Sequence, residues 1–80
     1  MNKVEIHDRF DRVIRTVTVE GGEVSVEPQS PSFHRALAEV RVLWEGRRVH
    51  PADGVRWLKG LEDTYRGAYF RAVFVAEEEN

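Results

Sequence analysis

The sequence predicts one small α+β domain: an antiparallel sheet of three to four strands with two helices packed on one face. Three observations lead there. A valine-rich stretch doubles back at Gly21-Gly22, and two later segments, 31–45 and 51–66, repeat apolar residues at helical spacing. A final segment, 68–76, then alternates at strand spacing. Helices that follow a hairpin and precede one last strand suit helices gathered against an antiparallel sheet.

The hairpin spans 12–27. Val13-Ile14-Arg15-Thr16-Val17-Thr18-Val19-Glu20 is rich in β-branched side chains, whose restricted χ1 suits a pleated strand. Gly21-Gly22 supplies two residues that accept positive φ, as a two-residue turn requires. With that turn, Val19 faces Val24 and Val17 faces Val26. Thr16, Thr18 and Ser25 then share the other face with the glutamates. Turn and side-chain pattern select one register. Lys3–His7 predicts a further strand.

Pro28 and Pro31 close the second hairpin strand, because proline donates no ladder hydrogen bond. Ser30 suits an N-cap and Pro31 a first helical position. Phe33, Leu37, Val40 and Trp44 form one apolar stripe through 31–45, and Gly46 sits where a C′ glycine belongs. Val40-Arg41-Val42 also alternates like a strand, and the helix is the preferred reading. In 51–66, Pro51 opens the segment and Asp53 lies near the positive end of the helix dipole. Trp57, Leu58, Leu61 and Tyr65 form its apolar stripe, and Gly67 can end it. In 68–76, Phe70, Ala72, Phe74 and Ala76 share one face while Val73 and Val75 occupy the other. Apolar residues on both faces predict an interior strand. Glu77–Asn80 reads as a flexible acidic tail, so residues 1–80 make one domain.

Composition narrows the function classes. The 80 residues are 41% hydrophobic and 10% aromatic, enough for a folded globule but only a thin core. There is no cysteine, so neither a disulfide framework nor a cysteine-based zinc site stabilises the fold. No apolar run approaches the ~20 residues that span a bilayer. The opening Met1-Asn2-Lys3-Val4-Glu5 lacks the apolar stretch of a signal peptide, so a cytoplasmic protein is expected. A net charge of −2 gives no overall attraction to nucleic acid or anionic lipid.

The chemistry-bearing residues are sparse. His34 falls on the polar face of the first helical segment, His50 belongs to a helix entry, and His7 lies near a strand end. A His7/His50/Asp53 site matches no recognised metal-ligand spacing. Ser25, Ser30 and Ser32 have no accompanying base and orienting group, and no glycine-rich phosphate loop occurs. No catalytic residue, metal or cofactor is therefore expected.

Binding remains, through a protein partner or a second copy of the chain. Tyr65, Arg66 and Tyr69 are the candidate contact residues, since Tyr and Arg are enriched at interface hot spots. An exposed sheet edge, which can add a partner strand, is a second route. The alternative is a nucleic-acid-associated protein in which Arg12, Arg15, Arg47 and Arg48 merge into a patch that contacts phosphates. Against it stand Asp8 and Asp11 among the N-terminal arginines. The pairs Arg41/Glu45, Lys59/Asp63 and Glu62/Arg66 likewise neutralise at helical spacing.

Overall fold

The computed structural model describes residues 2–27, 44–67 and 70–76. Strands β1 (Lys3–Asp8), β2 (Val13–Glu20), β3 (Glu23–Glu27) and β4 (Phe70–Val75) form one antiparallel sheet in the order β3-β2-β1-β4. Gly21 and Gly22 make the β2–β3 turn with φ of 57° and 81°. The register pairs Val17 with Val26, Val19 with Val24 and Glu20 with Glu23. Between β1 and β2 the register shifts after Ile6, so that His7 faces Val13. The extra residue is a β-bulge next to the Asp8–Arg12 loop.

Strand alternation sends Val4, Ile6, Val17, Val24, Val26 and Ala72 to one face, where all are buried. Leu58, Leu61 and Trp44 belong to the same core. A leucine as buried as Leu58, at 1% exposure, stabilises by roughly 1.5–3 kcal/mol through removal from water alone. Arg15 shares the parity of Val17 and stands opposite Ile6. It is 5% exposed, with Nη1 donating to the Ile14 carbonyl at 2.8 Å.

Among the described residues, the cover on this face is one helical segment of 14 residues. It begins as a 3-10 turn, Pro51–Asp53, and continues as α1, Gly54–Thr64. His50 caps it, its Nδ1 accepting the Ala52 N–H at 3.1 Å. Leu58 and Leu61 are buried beneath it, while Trp57 and Tyr65 pack at the margin. The helix stops at Thr64 because Tyr65 turns to φ −115°, ψ 80°. That turn brings the Tyr65 carbonyl to the N–H of Ala72 at 2.9 Å.

Three expectations are corrected. The first is the pair of helices on one face: among the described residues a single helix covers the sheet. The expected helix at 31–45 lies outside the described residues except for Trp44 and Glu45. Residues 46–49, expected as a loop between helices, lie extended along β3. Gly46 N–H donates to Val24 O at 2.9 Å, Val24 N–H to Arg47 O at 2.9 Å, and Val49 N–H to Gly22 O at 2.7 Å. These backbone groups are used by the sheet. Trp44 meets the helix through ring edges, 5.9 Å from Trp57 and 5.0 Å from Tyr65.

The second correction concerns β4, which is an edge strand rather than an interior one. The third is that neither edge is simply open. Residues 46–49 occupy β3 at Gly22 and Val24, and residues 65–67 fold along β4, Gly67 N–H donating to Phe70 O at 2.7 Å. Strand addition at those positions would have to displace the chain's own backbone.

Candidate functional site

The most distinctive surface is built around the β2–β3 turn. The hydrogen bonds to Gly22 and Val24 fix Arg47, Arg48 and Val49 against β3. The helix start follows at once and turns Asp53, Arg56 and Trp57 toward the same side. Together these six residues line an open depression of about 370 Å3. Arg47, Arg48 and Arg56 are all exposed, and none forms an ion pair among the described residues. Asp53 is the single carboxylate among the described lining residues. Trp57, half-buried, stands nearly perpendicular to Trp44 at 76°.

The chemistry of this surface follows from its groups. Each guanidinium presents a planar fork of N–H donors that matches a carboxylate or a phosphate. An indole beside them offers an apolar face with a cation-attracting π system. Among the described lining residues there is no nucleophile and no acid–base pair.

The other arginines of the predicted patch lie elsewhere. Arg12 sits beyond the opposite end of β2, which at ~3.3 Å per residue is roughly 23 Å long. There its Nε donates to Asp8 Oδ2 at 2.8 Å. Arg15 is buried in the core face. Arg47 and Arg48 are therefore joined by Arg56 rather than by Arg12 and Arg15. Arg56 was legible only as a polar-face helix residue, because the alignment of 46–49 with β3 leaves no side-chain signature.

The Tyr65–Tyr69 candidate is divided. Tyr65 is half-buried and packs edge-on against Trp44, so its ring belongs to the core margin. Arg66 is exposed and closes the helix end, with Nη2 3.0 Å from Asp63 Oδ1 and Nε 3.2 Å from the Glu62 carbonyl. Tyr69 lies outside the described residues. The same holds for His34, Ser30 and Ser32. His7 and His50 stand at opposite ends of the sheet, beside Val13 and beyond Gly22 respectively, so the imagined His7/His50/Asp53 trio does not converge. His7 instead pairs with Glu5, Nε2 to Oε1 at 3.2 Å.

Sequence reasoning passed over the loop between β1 and β2. Asp8 Oδ1 accepts the N–H groups of Phe10 at 2.8 Å and Arg12 at 3.0 Å, and Asp11 takes φ 61°. Arg71 of β4 pairs with Asp11. Desolvation raises the pKa of the Asp8 carboxyl, but its hydrogen bonds from Arg12 and Phe10 and the Arg12 charge outweigh that. The net pKa lies below the ordinary 3.8. The loop leaves Phe10 62% exposed, with the guanidiniums of Arg9 and Arg12 4.7 and 5.2 Å from its ring centre.

Among the described residues no helix is long and apolar enough to cross a membrane. No protein-family model matches the chain, and no match appears among curated proteins or solved structures.

Proposed function

We propose that this chain is a small binding module without catalysis of its own, and that it docks a carboxylate-rich segment of a protein partner on the Arg47/Arg48/Arg56/Trp57 depression. One observation carries the reading: three exposed guanidiniums, without internal counter-ions among the described residues, meet beside a tryptophan in one concavity. Arg and Trp at a shared site are the residues that dominate interface energetics. The reading takes the chain to work in the cytoplasm.

Nucleic acid is the second reading, because arginine forks and an indole also suit phosphates and a stacked base. Its support is narrower than the sequence implied, since Arg12 and Arg15 stand apart from the patch. The two separate by experiment. A fluorescent glutamate-rich peptide and a single-stranded oligonucleotide are titrated with the protein, and anisotropy is read at low and high salt. The expected result is peptide binding that the R47A/R48A/R56A variant loses without a change in unfolding midpoint. Oligonucleotide binding alone would move the assignment to nucleic acid. A protein that binds neither probe and retrieves nothing from its own cell extract would overturn both.

A further inference from the structure

We propose that Asp53 sets the specificity of the arginine depression. With Trp57 it makes a cation-accepting half beside the anion-accepting half of Arg47, Arg48 and Arg56, so the segment docked there carries a lysine or arginine among its carboxylates. The inference rests on the peptide-docking reading and goes beyond it by naming the partner's charge pattern.

Asp53 stands at the N-cap of α1, with φ −102° and ψ −1°, yet its side chain makes no capping hydrogen bond. A carboxylate at this position ordinarily accepts an N–H of the first turn. Helical spacing would also permit a pair with Arg56, three residues on. Among the described residues Asp53 forms no ion pair. It is exposed and shares the lining of the depression with the three guanidiniums. A negative charge near a helix start gains from the dipole. That gain needs no particular partner and leaves the carboxylate available to a ligand.

Trp57 follows Asp53 by four residues, a spacing that shares one helix face. An indole attracts a cation within about 6 Å of its ring, and a neighbouring carboxylate supplies the formal counter-charge. An ammonium or guanidinium that enters beside the helix meets both. Carboxylates of the same segment are held by Arg56 and by Arg47 and Arg48 from the chain along β3. The depression, at about 370 Å3, is more than twice the ~150 Å3 that admits benzene, so an acidic and a basic side chain fit together.

Three guanidiniums against one carboxylate leave the described lining with two net positive charges. Attraction by net charge alone therefore ranks the most acidic segment first. The divided site predicts the reverse order, because a segment of carboxylates alone leaves Asp53 facing like charge. A phosphate backbone brings no cation either, so Asp53 works against nucleic acid at this site.

The test is fluorescence anisotropy at low salt with the full chain and a set of short peptides. Each peptide carries three glutamates and a lysine at one of the successive positions after them; the control has glutamine in place of lysine. At least one lysine peptide should bind roughly three- to thirtyfold more tightly than the control, although it is the less negative of the two. Asp53→Asn should abolish that preference and tighten the glutamine peptide, since it removes the one negative charge among the described lining residues. A urea midpoint near wild type establishes that this variant folds, as expected where no capping bond is lost. A glutamine peptide bound as tightly as every lysine peptide, or a lysine preference that survives Asp53→Asn, would sink the inference and leave the depression a docking site for carboxylates. A wild type that binds no peptide would end the docking reading itself and this inference with it.

Discussion

Replacing Gly22 with alanine should cost clearly more than the same change at Gly21, although the two are neighbours in one turn. Both have positive φ, 57° at Gly21 and 81° at Gly22, and an L-residue there costs about 1–2 kcal/mol. At Gly21 a new Cβ meets nothing within 4 Å. At Gly22 it would stand 2.8 Å from the Val49 carbonyl oxygen, which is backbone and cannot swing aside like a side-chain tip. Moving Val49 breaks its 2.7 Å hydrogen bond to Gly22 O and strains the Val24–Arg47 bond at 2.9 Å. At roughly 0.5–1.5 kcal/mol for each hydrogen bond, Gly22→Ala reaches about 2–4 kcal/mol. That is a large share of the roughly 4–12 kcal/mol expected for a chain of this size. Urea unfolding reads the difference. With m near 1 kcal/mol/M, the two midpoints should differ by about 1–2 M at unchanged m. Amide exchange at Val24 and Val49 should accelerate in Gly22→Ala alone. Equal midpoints, or retained protection at both amides, would refute the account of 46–49 as a segment held by β3.

Leu58→Ala should destabilise by about 2–5 kcal/mol, because Leu58 is 1% exposed beneath α1, while Val55→Ala at 42% exposure should cost far less; thermal and urea midpoints check both. Asp8 has a depressed pKa in the folded loop, so its contribution is fully present above the ordinary 3.8 and is lost as pH falls through the lower folded value. The amide shifts of Phe10 and Arg12 should therefore titrate below 3.8, and Asp8→Asn should flatten the curve; a midpoint above 3.8 would contradict the bonding described. His50→Ala removes the acceptor for Ala52 N–H and should cost about 0.5–2 kcal/mol, measured by the same unfolding assay.

The hairpin was legible because two independent signals, the glycine pair and the valine alternation, bear on one register. The helix at 51–64 was legible from Pro51 and the Leu58/Leu61 spacing. Arg15 was misplaced for a specific reason. It shares parity with Val17 and Val19, and alternation alone puts it on the core face, but its charge argued for the surface. The edge position of β4 was hidden because Val73 and Val75 are half-buried on the face away from α1, as in an interior strand. Residues 65–67 shield that edge by main-chain contacts, which leave no side-chain pattern. Arg47 and Arg48 were visible as a dibasic turn. Their union with Arg56 and Trp57 depends on backbone pairing across more than twenty residues, beyond any local periodicity. Phe10 drew no notice because a lone aromatic among charges carries no period at all.

The two short segments that lie along β3 and β4 also bear on how this chain would fail. A four-stranded sheet becomes a template for fibrous stacking when its border amides meet those of another molecule. At Val24 and Ala72 those amides are already spoken for. Recruitment at either border must wait until 46–49 or 65–67 peels away, so the frequency of that local opening, rather than of global unfolding, sets how often these amides are offered to a neighbour.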